Sequence, residues 1–259
     1  MTLSAAQQGQ NPLTLTMPDS DVTLTATYTG ISPEQRPPGT GPGTVTPPVT
    51  PPGNGTETPP PSRPDYTSYA VALNRLGLFL GYGDDDAGNP VFGLDDELSR
   101  IQALVLTLRL LGLEDAVQAY SGTHPFTDVS GWQTPYVAYA FANGLTTGVA
   151  EDRFAPHSQV TLQQFTTFML RALKFSDTDG EDFDYADAID FALKLELLTD
   201  ELLAEFGSGS FLRGEAVRVM VNALLTEVNE EDGGMLLYEL ANAEVFSQEA
   251  ADAFLAAVG

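Results

Sequence analysis

Apolar side chains recur at helical spacing in three separate stretches of the chain. Each stretch places apolar residues at positions i, i+3, i+4 and i+7, which is the spacing of one buried helix face. These residues are Ile101, Leu104, Val105 and Leu108, then Phe165, Phe168, Met169 and Ala172, then Val217, Met220, Val221 and Leu224. The three stripes predict three equivalent helices that meet in one bundle, with these side chains in its core and not in a ligand groove.

The pattern before residue 65 is different. Residues 12–29 alternate apolar and polar side chains around a Pro-Asp-Ser-Asp turn, which predicts two short β-strands. Residues 31–64 hold 12 of the 18 prolines, mixed with Gly and Thr. Such a segment cannot build a core, so we expect a disordered, semi-extended linker.

The sequence after residue 64 repeats itself. Residues 69–81 and 136–148 share a Tyr and two Gly at the same spacings, and each is followed by a loop and a second helix. A fainter third copy lies within 183–226. We therefore predict a mainly α fold of three helix–loop–helix repeats, each of roughly 50–60 residues. The predicted boundaries are 1–30 for a β-hairpin remnant of a truncated domain, 31–64 for the linker, 65–120, 121–176 and 177–228 for the repeats, and 229–259 for a helical extension.

The second helix of each repeat begins with a recognisable cap. Ser99 with Gln102, and Thr161 with Gln164, fit the capping box, in which the hydroxyl and the amide bond each other's backbone N–H groups. The third copy keeps an acid, Glu215, but has no hydroxyl at the capping position. We expect the start of that third helix to fray.

Composition and charge narrow the possible partners. The chain has 36 Asp and Glu against 11 Lys and Arg, a formal net charge of -25, which excludes a basic nucleic-acid-binding face and an anionic membrane surface. It has no cysteine, which excludes disulfides and thiolate sites. No apolar run reaches about 18 residues, so we expect no membrane insertion.

Two of the rare cations nevertheless stand just after helix caps. Arg100 and Arg213 oppose the helix dipole at these positions, where a negative side chain would be favoured. Together with free helix N–H groups, a guanidinium there favours a carboxylate or phosphate ligand. The alternative is an exposed arginine that pairs with one of the many Asp and Glu side chains.

Catalytic and metal-site patterns are not found. His124 and His157 lie in expected loops without a metal-ligand spacing, and there is no G-x-S-x-G motif. Residues 176–184 are acidic, but Gly180 stands out of register for an EF-hand loop, so we expect a solvated linker there. We predict no enzyme activity, no metal site and no cofactor.

Residues 125–173, "PFTDVSGWQTPYVAYAFANGLTTGVAEDRFAPHSQVTLQQFTTFMLRAL", closely resemble the S-layer homology module. The matching features are the Phe-Thr-Asp-Val start, the Trp, the Gly-Leu-x-x-Gly turn, the Phe-x-Pro loop and the capped helix. Residues 65–113 and 183–226 resemble weaker copies of the same module. "TMPDSDVTLTATY" near the N-terminus resembles the closing strands of internalin-type B repeats.

The resemblance implies a pseudo-threefold helical spindle that anchors an exported protein to the cell wall. Its implied partner is an anionic, often pyruvylated, secondary cell-wall polysaccharide. The family's helix-start motif, Thr-Arg-Ala-Glu, stands here as Ser99-Arg100-Ile101-Gln102 and Leu212-Arg213-Gly214-Glu215, and its arginine is implied to bind the ketal carboxylate. The second copy has Leu162 in place of arginine, so we expect at most two competent grooves.

By the same resemblance, the residues around the helix starts are candidate ligand-binding residues: Ser99, Gln102, Thr161, Gln164, Gly214 and Glu215. Three further residues are candidates for the groove. Trp132 is either a sugar-stacking side chain or part of the core, since a large amphipathic ring serves both roles. Asp128 is a turn residue or, by the resemblance, a groove acceptor. Gly148 is expected to have positive φ and to permit close ligand approach.

The wider role has open alternatives. The first residues lack the basic and apolar regions of a signal peptide, so we expect an extracellular fragment, in the cell wall or S-layer, that lacks its true N-terminus. One alternative to anchoring is a structural surface protein that acts by self-association. Another is the C-terminal remainder of an exported adhesin or enzyme.

Overall fold

The computed structural model describes residues 64–207 and 209–259. The predicted strands, almost all of the Pro-rich linker and the internalin-type stretch lie outside the described residues. Within the described part, the helices are α1 Thr67–Arg75, α2 Arg100–Leu110, α3 Glu114–Ala119, α4 Gln133–Ala142, α5 Leu162–Ala172, α6 Ala188–Lys194, α7 Asp200–Phe206, α8 Arg213–Leu225, α9 Leu236–Asn242 and α10 Gln248–Val258.

The described region is mainly helical, as the sequence predicts. Helix α5 packs against both α2 and α8, while α4 packs on α2, α6 on α5 and α1 on α8. Single β-bridges link the loops that precede the central helices, Glu97 to Leu212 and Ser99 to Gln159. The division of this region into three repeats stays a prediction.

The three apolar stripes form the centre of the core. Every stripe residue is buried except Val105, which is half-buried and lines a cleft described below. Phe168 is in the core, as predicted, and its ring also borders a cleft.

Both predicted capping boxes are present. The amide of Gln102 donates to Ser99 Oγ at 3.4 Å, and the Ser99 amide donates to Gln102 Oε1 at 2.9 Å. In α5 the corresponding distances are 3.2 Å from the Gln164 amide to Thr161 Oγ1 and 3.3 Å from the Thr161 amide to Gln164 Oε1. Local sequence is enough to specify these two helix starts.

The prediction that α8 begins loosely is wrong. Its first amides donate across the molecule, from Arg213 to the Asp96 carbonyl at 3.0 Å and from Gly214 to the Leu94 carbonyl at 2.8 Å. The carboxylate of Glu215 accepts the Leu212 amide at 2.8 Å. Neighbouring backbone thus replaces the missing hydroxyl, and the start of α8 is buried.

The C-terminal extension is helical, as predicted. Helices α9 and α10 follow α8, and α10 packs against α1. The Ser247 hydroxyl caps α10 by accepting the amide of Ala250 at 3.1 Å. Among the described residues, no helix has both the length and the apolar character needed to cross a membrane.

Candidate functional site

A cleft of about 340 Å³ opens where the start of α2 meets α5. The loop before α5 contributes Gly148, and Tyr185 closes the other side. Its lining comprises Arg100, Thr147, Gly148, Val149, Gln164, Thr167, Phe168, Arg171, Asp177 and Tyr185. We name it the Arg100 cleft. It brings together three of the residues predicted from the sequence, Arg100, Gly148 and Gln164.

The Arg100 guanidinium is buried, and no side chain in the described part of the chain is its counterion. The residue is 4 % exposed, and its guanidinium carbon lies 5.0 Å from the ring centroids of both Phe154 and Phe168. Nη2 donates to the Gly148 carbonyl at a long 3.5 Å, and Nε has no hydrogen-bond partner. Burial, as the largest cause, lowers the pKa of Arg100 to about 10.

A second, smaller cleft of about 170 Å³ contains Arg213. Its lining comprises Gly81, Tyr82, Gln102, Val105, Leu106, Arg109, Trp132 and Arg213. The Arg213 guanidinium lies 5.1 Å from the Phe79 ring centroid and 4.5 Å from that of Tyr82, and its Nε donates to the Phe92 carbonyl at 3.2 Å. Burial also lowers the pKa of Arg213. We name this the Arg213 cleft.

Two expectations about these arginines are wrong. Neither is an exposed side chain paired with Asp or Glu, because both are buried and no carboxylate of the described residues is within ion-pair distance of either. The helix ends beside them are not open either. The Arg100 and Ile101 amides donate to the Ser158 and Pro156 carbonyls at 2.9 and 3.0 Å.

Backbone carbonyls occupy the start of α8 in the same way, so helix N–H groups cannot be the main anion donors in either cleft. The guanidinium groups and the polar side chains around them remain as donors. This shifts the candidate chemistry from helix dipoles to buried cations.

A third cleft of about 320 Å³ has Leu162 where the other two have arginine. Thr161 and Glu215 also line it, and its described lining residues include no arginine. An uncharged side chain at this position gives an anion no point of attachment. The expectation of at most two competent grooves stays a prediction.

Each arginine cleft contains a second arginine that sequence reasoning about the site missed. Arg171 in the Arg100 cleft and Arg109 in the Arg213 cleft both stand ten residues after their helix cap. Each is bound by a nearby carboxylate, Arg171 by Asp177 and Arg109 by Glu114. Their recurrence at one repeat position was the signal that could have identified them.

Trp132 is exposed over 60 % of its surface, so the core interpretation is wrong. It lines the Arg213 cleft and meets Tyr136 edge to face. Gly148 has φ +83°, as predicted, and a Cβ there would lie 2.3 Å from the Phe126 ring and 2.7 Å from the Arg153 carbonyl oxygen. Only glycine fits this turn without strain.

Asp128 is a turn residue and not a groove acceptor, the two roles that the sequence allows. Its carboxylate accepts the amides of Phe154 and Ala155 at 2.9 and 2.8 Å, which fixes the loop before α5. Backbone hydrogen bonds contribute to lowering its pKa, although desolvation acts in the opposite direction. Asp128 lines none of the three clefts.

The remaining predicted residues support helix starts. Ser99 and Thr161 cap α2 and α5, and Gly214 lies where a Cβ would come within 3.1 Å of the Leu94 carbonyl oxygen. In the acidic stretch 176–184, the beginning is structured and not solvated, because Asp177 pairs with Arg171. Across the described residues, no cluster of three or more Asp, Glu or His side chains could hold a metal ion.

Comparison with known proteins agrees with the resemblance seen in the sequence. The sequence profile of the S-layer homology domain matches residues 125–166, so this part of the chain is similar to that domain.

Several known proteins are similar to parts of this chain. A "Cell surface protein" of Thermoanaerobacter kivui is 36 % identical over 117 residues, 44 % of this chain and 15 % of that protein. The "Middle cell wall protein" of Brevibacillus brevis is 29 % identical over 122 residues, 46 % of this chain and 11 % of that protein. An "Endoglucanase" of a Bacillus species is 31 % identical over 88 residues, 34 % of this chain and 9 % of that protein. The chain thus corresponds to a small part of these much longer relatives.

Proposed function

We propose that this chain is a non-catalytic anchor that holds a protein to the bacterial cell wall by binding an anionic, pyruvylated cell-wall polysaccharide. The Arg100 and Arg213 clefts would bind the ketal carboxylates. The observation that carries the proposal is the buried guanidinium of Arg100, which lines a cleft, has no counterion among the described residues and has an unbonded Nε.

Burial of an unpaired charge destabilises a protein. A guanidinium removed from water is destabilising unless an anion or good acceptors compensate it. Two aromatic rings and one long hydrogen bond compensate Arg100 only in part. A carboxylate entering the cleft would meet a preformed, weakly hydrated donor and gain a charge-assisted hydrogen bond.

Other features of the clefts suit a saccharide. Exposed apolar side chains line both clefts, Val149 and Tyr185 in one and Tyr82 and Trp132 in the other. Amphipathic rings of this kind can stack on the apolar face of a sugar while their polar atoms remain in water. The match to the S-layer homology domain and the names of two relatives support a location at the cell surface or in the cell wall.

Cosedimentation with purified sacculi tests the proposal. We expect the wild-type chain to sediment with native sacculi and to stay in solution after mild acid removes the pyruvate ketals. The double variant Arg100→Met, Arg213→Met should lose binding at least tenfold. The matched control Arg75→Met, which removes an exposed arginine, should bind like wild type.

Two outcomes would refute the proposal. The first is retention by sacculi that survives ketal removal, and the second is a double variant that binds as wild type does. Sedimentation of the chain alone, at rising concentration, would instead favour the self-association alternative.

A further inference from the structure

This inference rests on the proposed function and concerns the charge of the ligand. In the Arg100 cleft, Asp177 binds Arg171 through both carboxylate oxygens, at 2.8 Å to Nε and 2.7 Å to Nη2. In the Arg213 cleft, Glu114 binds Arg109 in the same two-point manner, at 3.0 and 2.6 Å. Each cleft therefore holds two arginines, of which one is bound by a carboxylate. The other, Arg100 or Arg213, has no ion pair among the described residues, although Asp96 acts electrostatically on Arg213.

The arginine of each pair stands at one helix position. Arg109 on α2 and Arg171 on α5 both lie ten residues after the helix cap, where α8 has Asn222. Asn222 lines neither arginine cleft and lies in a separate cleft with Glu196 and Asn229.

The carboxylate sets the charge that a ligand meets. The Arg171 charge acts against the Arg100 charge, and Arg109 acts against Arg213, so the two cations of each cleft interact electrostatically. With Asp177 in place, the Arg100 cleft offers one unbalanced positive charge instead of two. A doubly charged ligand would bring a second negative charge into a buried site that has no cation left to match it.

We propose that Asp177 and Glu114 make their clefts selective for singly charged oxyanions over doubly charged ones. A ketal carboxylate and a phosphodiester carry one negative charge, whereas a phosphate monoester carries nearly two at neutral pH. The bound carboxylates act as specificity determinants that do not themselves need to touch the ligand.

Arg171 also has a structural role that the test must separate. Its Nη1 donates to the Leu145 carbonyl at 3.2 Å and its Nη2 donates to Thr147 Oγ1 at 3.5 Å. These two hydrogen bonds fix the loop segment that precedes Gly148. Loss of structure would lower the affinity for every ligand by a similar factor. A ratio of affinities for two ligands of different charge reports selectivity and is insensitive to such uniform loss.

The experiment measures that ratio by calorimetry at pH 7.5. The probes are a methyl hexoside with a 4,6-pyruvate ketal, the same hexoside with a 6-phosphate monoester, and the 6-(methyl phosphate) diester. An Arg213→Met background leaves only the Arg100 cleft to be read. We expect the ketal and the diester to bind at least tenfold more tightly than the monoester, and Asp177→Asn to reduce that preference at least tenfold.

Two further variants complete the design. The double variant Arg171→Gln, Asp177→Asn restores one net positive charge and should regain the original preference. Glu114→Gln in an Arg100→Met background tests the selectivity of the Arg213 cleft. The Arg109–Glu114 pair is more exposed, so its loss should destabilise the fold less.

The outcomes separate the two proposals. A preference that Asp177→Asn and Glu114→Gln leave unchanged overturns the inference, while binding of the ketal keeps the proposed function. A diester that binds no more tightly than the monoester would also overturn the inference, because the charge of the ligand would then not decide its affinity. Failure of both wild-type clefts to bind the ketal and native sacculi would refute the proposed function itself.

Discussion

The guanidinium of Arg100 lies against two phenylalanine rings, and no carboxylate of residues 64–207 or 209–259 is within ion-pair distance of it. Arg171, in the same cleft, holds Asp177 through two short hydrogen bonds. The two side chains are chemically identical, but aromatic rings surround Arg100 and a carboxylate binds Arg171. Arg171 has an ion pair within the protein, and Arg100 has none among the described residues.

Replacement of Arg100 should therefore cost little stability in the absence of ligand. In Arg100→Met, the loss of cation–π contacts worth roughly 0.5–2 kcal/mol is offset by removing an uncompensated buried charge. We expect the free energy of unfolding to stay within about 1 kcal/mol of wild type or to rise. Urea denaturation followed by circular dichroism measures it.

The matched control is Arg171→Met, which leaves the Asp177 carboxylate buried without its partner. That variant should lose about 3 kcal/mol. An equally large loss in Arg100→Met would mean that Arg100 is a structural residue and not a ligand-binding one.

Gly148 gives a second residue-scale prediction. Alanine there needs positive φ and places a methyl group within 2.3 Å of Phe126 and 2.7 Å of the Arg153 carbonyl oxygen. We expect Gly148→Ala to lower the free energy of unfolding by at least about 2 kcal/mol. Gly144→Ala has a similar φ of +71° and open space, so it should cost only about 1 kcal/mol. Equal losses in urea denaturation would contradict this account of Gly148.

The sequence predicts some of these residues better than others. Positive φ at Gly148 follows from local turn chemistry, and the structure has it. The burial of Arg100 could not be predicted, because the rings that cover it come from Phe154 and Phe168 in other elements. Trp132 was ambiguous for the same reason, since only tertiary packing decides which aromatic residues stay at the surface.

At the scale of elements, the helix starts show where local rules suffice. Ser99 and Thr161 cap α2 and α5 with bonds that span three residues, so the sequence alone predicts them. The start of α8 depends on the carbonyls of Leu94 and Asp96, which are distant in sequence. Fraying was therefore the wrong expectation, since neighbouring backbone does what a capping side chain does elsewhere.

Hydrogen exchange tests this account of α8. The amides of Arg213 and Gly214 should be protected to a degree similar to those of Arg100 and Ile101, because all four donate to carbonyls of neighbouring loops. The amide of Gln248, at the exposed start of α10, serves as the fast-exchanging reference. Exchange of Arg213 and Gly214 as fast as that reference would contradict the account.

At the scale of the whole molecule, the net charge of -25 works against an anionic ligand. Long-range repulsion falls as salt shortens the screening length from about 30 Å at 0.01 M to about 8 Å at 0.15 M. The contacts inside the clefts are buried and less exposed to screening. Attraction therefore begins only when the ligand reaches the cleft.

Association with the wall polymer should accordingly become faster as salt rises from about 0.01 to 0.15 M. Surface plasmon resonance with immobilised polymer measures the rate constant, and polymer stripped of its ketals is the control surface. A basic protein binding an anionic polymer shows the opposite trend. An association rate that falls steeply with salt would mean that a positive surface, and not buried arginines, captures the ligand.

The central claim is that the two buried guanidinium groups bind the carboxylate of the ligand. Arginine-selective ¹⁵N NMR tests it most directly, because each Nε–H gives its own signal. On titration with the ketal-bearing hexoside, the signals of Arg100 and Arg213 should shift in a saturable manner while that of exposed Arg75 stays in place. Saturable binding that leaves both cleft signals unmoved would contradict the claim.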